Sequence, residues 1–282
     1  MSVASVKSLA LSSIRRSSRR VLWTYEGSGF GNALYYWMRA HVEQDEGLST
    51  KALSTHKMEP WQHVFPEIFR DLVVRRDDVS FFSPRQYSTG YQRFGSDFTE
   101  DQLNSFLESY VLRPGSEFVE QVNRSISDDV LWINVRRGDY YSVPRFRGEY
   151  SFDISEYLRV ALDVASERGS FRALGIVSDD LEWCRLKLRW LSDLAPVVYA
   201  PVDATPMEQF ALLSGSQHLV LGNSTFSYWA AYISDFRSRQ AGLDVGANII
   251  APAFHSRLSP AVAEQLNPAW RIVEDIPGGW DG

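Results

Sequence analysis

Hydrophobic and polar positions fall into two regimes along the chain. From Leu131 onward, short apolar runs alternate with amphipathic segments. Leu131–Val135 reads as a strand, "SFDISEYLRVALDVASERG" as a helix closed by Gly169, and "RALGIVSDD" as a strand. "LEWCRLKLRWLSDL" reads as a helix, "PVVYAP" as a strand, "TPMEQFALLSGS" as a helix, "HLVLGN" as a strand and "STFSYWAAYIS" as a helix. Strand and helix in regular alternation with short turns predict a parallel sheet with helices on both faces. A separate unit of the same kind opens with a strand at Val21–Tyr25, a glycine turn, and a helix from Asn32 to Glu43. Leu103, Phe106, Leu107 and Tyr110 have helical spacing behind Thr99, a suitable N-cap, and "EFVEQVNRSI" follows as a short helix. Between Lys51 and Pro114 the pattern weakens, and "PWQHVFPEIF" and "FFSPRQYSTGYQRFG" read as loops. The expected organisation is a tail over residues 1–20, one half over 21–127 and a second over 128–282, divided in the loop around Asp128. A cleft between two α/β halves suits a nucleotide and a second substrate.

The net charge of −6 lacks the basic balance that nucleic-acid binding draws on. The arginines near 136 are therefore read as a local device for one anion, with no nucleic-acid partner. Cys184 is the single cysteine, which excludes an intrachain disulfide and a Cys-rich zinc site and fits a reducing cytosol. No apolar run reaches the ~18 residues of a membrane span. In "MSVASVKSLALSSIRRSSRR" the basic cluster Arg15, Arg16, Arg19 and Arg20 follows a broken apolar portion, the wrong order for a secretory signal. The expectation is a frayed tail on a cytoplasmic protein. The second reading is peripheral contact with the inner face of a membrane, at roughly 1 kcal/mol per basic residue near the surface.

Candidate chemistry gathers at strand ends. "LWINVRRGDYYSVP" turns a buried strand into Arg136, Arg137, Gly138 and Asp139. A guanidinium is a planar, permanently charged fork that pairs two phosphate oxygens. Gly138 allows a sharp turn, and Asp139 can hold one arginine. The plainer alternative is a surface ion pair worth about 0–1 kcal/mol. "LGNSTFSYWAAYI" sets Asn223, Ser224, Thr225 and Ser227 at a helix start, where free N–H groups and the helix dipole favour an anion. Its plainer alternative is an N-cap cluster. "EGSGFGN" places Gly27, Gly29 and Gly31 after a strand but fails the G-x-G-x-x-G spacing, so it signals NAD only weakly. In "VSDDLEWC", Asp179 and Glu182 have capping-box spacing. No D-x-D or H-E-x-x-H occurs, the five histidines are scattered, and neither a G-x-S-x-G elbow nor a P-loop is present. No metal site is expected.

Together these stretches resemble glycosyltransferase family 11, the α-1,2-fucosyltransferases, within the wider fucosyltransferase superfamily. "NVRRGDY" at Asn134–Tyr140 matches H-x-R-R-G-D-Y except at its first residue. "GFGN" at Gly29–Asn32 matches G-x-G-N, Ser178–Cys184 matches S-D-D-x-x-W-C, and "NSTFSYWAA" at Asn223–Ala231 matches the family's N-S-[ST]-F-S-W-W-A-A with Tyr228 for the first Trp. The resemblance implies an α/β, GT-B-like fold of two Rossmann-like halves with a donor cleft between them. The acceptor would lie on the 21–127 side and the nucleotide-sugar on the 128–282 side. It implies inverting transfer of L-fucose from GDP-fucose to a glycan hydroxyl, a galactoside 2-OH, with no obligatory metal and no cofactor beyond the donor. Carried across, Arg136 contacts the β-phosphate and, with Asp139 as its partner, forms the catalytic pair. Arg137 supports the loop or the phosphate. Gly31 and Asn32 close over the pyrophosphate, Ser224 and Thr225 bind phosphate oxygens at the helix start, and Gly29, Asn223 and Ser227 are further donor-binding residues. Asn134 replaces the family histidine that holds the nucleotide, and Gln209, beside Glu208, replaces the aspartate that reads guanine. A carboxylate pairs two guanine N–H donors where glutamine offers one acceptor. Another nucleotide-deoxysugar donor therefore stands as the alternative, followed by a Rossmann NAD-dependent oxidoreductase and a non-catalytic nucleotide-sugar-binding module.

Overall fold

The computed structural model describes residues 19–88, 90–167, 169, 171–243, 248–259 and 262–276. Arg15 and Arg16 of the basic N-terminus lie outside the described residues. Two compact units divide at Arg113/Pro114. The division precedes the helix Glu117–Arg124, whose Phe118 stacks on Phe210 at 5.5 Å, and the loop expected around Asp128 is instead part of a strand, Ser127–Val135.

The first unit has a four-stranded parallel sheet in the order β3-β2-β1-β4. The strands are β1 (Arg20–Trp23), β2 (Thr50–Leu53), β3 (Val73–Val74) and β4 (Arg85–Tyr87). Its helices are α1 (Phe30–Asp45), α2 (Pro66–Asp71) and α3 (Glu100–Phe106). β4 and most of α2 fall in stretches read as loops, and β2 and β3 in or at the edge of the weakly patterned region: strands of two to four residues are too short to show a period. Thr99 caps α3 as expected, in a reciprocal capping box with Gln102. Arg20, read as part of a basic tail, instead opens β1 and bonds the buried carboxylate of Glu43 at 3.1 Å. Glu43 also accepts from Arg39 Nε at 2.9 Å and the Thr50 hydroxyl at 2.8 Å, so one buried charge with three donors ties α1 to β1 and β2.

The second unit follows the predicted alternation and carries a six-stranded, wholly parallel sheet in the order β10-β9-β8-β5-β6-β7. The strands are β5 (Ser127–Val135), β6 (Ala173–Ser178), β7 (Val197–Tyr199), β8 (Ser216–Val220), β9 (Ile249–Pro252) and β10 (Arg271–Val273). The helices are α4 (Glu117–Arg124), α5 (Gly138–Ser142), α6 (Pro144–Tyr150), α7 (Ile154–Ser166), α8 (Leu181–Lys187), α9 (Pro206–Ser214) and α10 (Thr225–Gln240). Leu131, Ile133 and Val135 of β5 share one core with Tyr157, Leu158 and Ala161 of α7 and with Cys184 of α8. β6 is buried along its whole length, as a central parallel strand covered on both faces must be. From β5 the chain winds first toward β7 and then, through β8, toward β10. This is a doubly wound sheet whose direction reverses between β5 and β8. No helix among the described residues is long and apolar enough to cross a membrane.

Gly175 on β6 lies under the indole of Trp132, and a Cβ there would overlap the ring. Gly175→Ala is expected to destabilise the protein by about 1–3 kcal/mol through overpacking, read from urea unfolding followed by tryptophan fluorescence.

Candidate functional site

Strand register assembles the site. β5 pairs with β6 up to Val135↔Ser178, so the next residues, Arg136 and Asp179, emerge side by side at the carboxyl end. β5 pairs with β8 up to Ile133↔Val220, which brings the Gly222 loop against the same end. A Cβ on Gly222 would lie 3.1 Å from the Asn134 carbonyl and 3.6 Å from the Arg136 amide nitrogen. The arginine and serine motifs thus meet at the reversal of strand order, where open α/β sheets bind ligands.

Arg136 is gripped on two sides: Nη1 donates to Asp179 Oδ2 at 2.6 Å and Nη2 to Asp139 Oδ1 at 2.5 Å. Its side chain is 37% exposed. Arg137 is more enclosed. Its guanidinium carbon lies 4.1 Å from the Tyr141 ring centre and 4.0 Å from that of Trp183, its Nε donates to Asp180 Oδ2 at 3.1 Å, and its amide donates to Asp179 Oδ1 at 2.8 Å. Asp180, rather than Asp179, caps α8, accepting from the Trp183 amide at 3.1 Å. The Asp179–Glu182 capping box expected from spacing does not form, because Asp179 is held by Arg136 and the Arg137 amide. Gly138 takes no left-handed conformation. Its need is spatial: a Cβ there would come within 2.5 Å of Asp179 Oδ2. Asp139 acts as a holder of Arg136, with its carboxylate committed to the guanidinium.

The serine loop is partly turned inward. Ser224 caps α10 by accepting from the Ser227 amide at 3.3 Å. The Ser227 hydroxyl is fully buried and donates to the Gly222 carbonyl at 2.9 Å, so it shapes the loop instead of facing a ligand. Thr225 is half-buried and stands in the first turn of α10. Asn223 Nδ2 donates at 3.0 Å to the carbonyls of both Tyr150 and His255, and the buried Tyr157 hydroxyl donates to the Leu221 carbonyl at 2.7 Å. Asn134 Oδ1, Asn223 Oδ1, the Tyr228 hydroxyl and His255 Nδ1 are buried without a protein partner. Buried polar atoms left so mark places where a ligand or water completes the bonding.

His255 was singled out by no motif, yet its ring lies 5.7 Å from that of Tyr150 and 5.8 Å from that of Tyr228. Tyr150 stacks in turn on Tyr140 at 4.6 Å, and Tyr140 lies under Arg136 at 5.3 Å. Burial pushes the Tyr140 and Tyr141 hydroxyls up to about 12, keeping both neutral donors. Gln209 lies on α9, its amide donating to the Ala204 carbonyl at 3.2 Å, and Glu208 is sealed in a capping box with Thr205. Gly29, Gly31 and Asn32 belong to the first unit. Gly29 caps α1 without a side-chain bond, Gly31 lies buried in the first turn, and Asn32 Oδ1 accepts from Gln92 Nε2 at 3.1 Å. None of the three glycines of that loop has a positive φ. Gly27 makes room for the ring of Tyr25, which a Cβ would approach to 2.5 Å. Among the described residues, no three His, Cys, Asp or Glu side chains converge as a metal-binding group.

With a wholly parallel sheet and this arginine–serine constellation at its reversal, the class is a doubly wound α/β protein. Residues 83–240 match Glycosyl transferase family 11, and the chain belongs to that family. Galactoside α-(1,2)-fucosyltransferase 1 of Ateles belzebuth is 35% identical over 104 residues, 36% of this chain and 28% of the relative. The Homo sapiens protein of the same name is 32% identical over 102 residues, with the same shares. The chain thus matches little more than a quarter of the length of these relatives. Among solved structures, Escherichia coli ADP-heptose LPS heptosyltransferase II overlays with a TM-score of 0.47 at 11% identity, covering 93% of this chain and 92% of that one. A FUT1 variant of Arabidopsis thaliana in complex with GDP overlays with a TM-score of 0.40 at 13% identity, covering 83% and 73%.

Burial holds the His255 imidazole down to about 4, against an ordinary 6.5. The folded state therefore resists a proton that the unfolded chain accepts, and the stability this brings is full above pH 6.5 and lost as pH falls toward 4. His41, also lowered by burial, adds in the same direction. His255→Asn is expected to flatten part of the acid limb of a Tm-against-pH curve; an unchanged limb would contradict the assignment.

Proposed function

We propose that this protein is an inverting, metal-independent glycosyltransferase that moves L-fucose from GDP-fucose to a galactoside-type hydroxyl of a glycan acceptor. The observation that carries the reading is the meeting of Arg136 and Arg137 with the α10 start at the β5/β8 reversal, in a chain of family 11. Arg136 has five N–H donors and spends two on Asp139 and Asp179. The other three remain for an incoming phosphate. As the bond to the sugar breaks, negative charge grows on the departing diphosphate, and a guanidinium already fixed in place meets it without reorganising. That help accelerates transfer only where it is stronger in the transition state than in the bound donor. Arg137 holds the loop through its aromatic clamp, and Thr225 with the first amides of α10 receives further phosphate oxygens. The arginines supply the positive charge that a divalent ion supplies in other transferases.

Arg136→Ala is expected to lower transfer by about 10²–10³-fold, the usual cost of removing one such donor, with the melting temperature kept and added EDTA without effect on the unmutated enzyme. Near-normal turnover by the variant would falsify the assignment, and inhibition by EDTA would remove metal independence.

A second donor is favoured by one observation: Glu208 is committed to its own helix cap and Gln209 to Ala204, so no carboxylate at that position is turned to a guanine edge. A thermal-shift panel of GDP, UDP, ADP and dTDP separates the readings. Stabilisation by GDP alone is expected for a fucosyl donor; a shift with UDP or dTDP and none with GDP transfers the proposal to another nucleotide-deoxysugar. Binding of nucleotide with neither donor hydrolysis nor transfer would mark a binding module.

A further inference from the structure

Two phenylalanines stand at the tip of an exposed turn in the first unit. The Ser83 amide donates to the Ser80 carbonyl at 3.0 Å and the Phe82 amide to the Ser80 hydroxyl at 3.3 Å, closing a turn whose central residues are Phe81 and Phe82. Such positions favour glycine, proline, asparagine, aspartate and serine. Phe81 is 87% exposed and Phe82 41%, and their rings meet edge to face at 5.5 Å. β3 and β4 are the outer strands of their sheet, so the segment between them, which carries this turn, crosses one face of it. On that face Val21, Leu53 and Val74 form a small core, covered by Val79 and Trp23 with no helix residue among them. Register sets Trp23 beside the exposed Tyr87, their rings 5.7 Å apart. The guanidinium carbons of Arg76 and Arg85 lie 5.2 and 4.8 Å from the Trp23 ring centre, so two cations gather on one indole. Among the described residues neither has a carboxylate partner, and Glu26, which Arg76 influences only at longer range, is bonded to His56 at 2.8 Å. Between residues 75 and 85, three arginines stand against Asp77 and Asp78, a local balance of +1 in a chain of −6.

We propose that the Phe81–Phe82 turn, with the arginine-flanked Trp23–Tyr87 pair, is a shallow anchor for an anionic lipid surface. Phenylalanine at an exposed tip can enter the boundary between headgroups and acyl chains, tryptophan and tyrosine suit the wet side of that boundary, and arginine draws anionic headgroups. A stable protein partner would need about 800 Å² from this side. A phenylalanine side chain supplies roughly 200 Å², and the tip has two. A saccharide would find no hydrogen-bonding edge on either ring, and saccharide-sized ligands favour concave sites over a protruding turn. The anchor is separate from the basic N-terminal stretch, and it does not rest on the fucosyl-transfer reading.

The test is co-sedimentation of the full chain with vesicles of phosphatidylcholine alone and of phosphatidylcholine mixed with phosphatidylglycerol. The unmutated protein is expected to bind the mixed vesicles about tenfold more tightly than the neutral ones, through the attraction of its arginines for anionic headgroups. Phe81→Ser, at a ring that is almost wholly exposed, is expected to weaken binding to the mixed vesicles about tenfold with the melting temperature kept. Arg76→Gln combined with Arg85→Gln is expected to reduce the preference for the mixed vesicles by a similar factor. The Phe81→Ser effect is expected to persist in a chain that also carries Arg15→Gln and Arg16→Gln, which separates the turn from the N-terminal stretch. Failure to sediment with either vesicle overturns the proposal, as does binding that Phe81→Ser leaves unchanged. Binding lost with Arg15 and Arg16 but intact in Phe81→Ser gives the contact to the N-terminal stretch and overturns it. Self-association abolished by Phe81→Ser, without vesicle binding, assigns the tip to a second copy of the chain and overturns it too.

Discussion

The grip of Asp179 on Arg136 is the contact on which the site depends. It spans two neighbouring strands, and it exists because the β5/β6 register delivers both residues to the same edge. Pairs this exposed add little to stability, about 0–1 kcal/mol each, so their value is geometric. Asp179 uses one oxygen for Arg136 and the other for the Arg137 amide, while Asp180 serves the Arg137 guanidinium and starts α8. One aspartate dipeptide therefore sets the orientation of both arginines and the entry of a helix. Gly138 is part of that contact, since any side chain there would displace the carboxylate.

Much of the second unit could be read from the sequence because β5 and β6 carry buried apolar runs and β8 ends in one, each beside amphipathic helices. The first unit was harder. The exposed "RQY" of β4 and the two-residue β3 have neither length nor alternation, and they become strands only by pairing with neighbours. α5 and α6 were missed although Pro144 stands at the first position of α6, a start signal the sequence does carry. β9 and β10 complete the sheet beyond the last segment assigned from pattern. Within the site, the choice between Asp179 and Asp180 as cap could not be settled by spacing. Both precede the same helix, and the competing demand comes from a strand 43 residues away in sequence.

Charge at the cluster is not a simple surplus. Two guanidinium groups face three carboxylates, a formal balance of −1, so the positive charge is fully offset before any anion arrives. Isolated phosphate should therefore be held weakly, with the rest of a nucleotide-sugar supplying the affinity. Asn134, Asn223, Tyr228 and His255, each with a buried polar atom lacking a protein partner, surround the same strand ends and give such a ligand more to bond than charge alone.

The buried Ser227 hydroxyl, bonded back to the Gly222 carbonyl, welds the serine turn to the helix that follows it. Such a turn has no articulation of its own. Any tightening around cargo must carry α10 as a rigid lever, so the motion would be transmitted along sixteen residues to the far end of the helix.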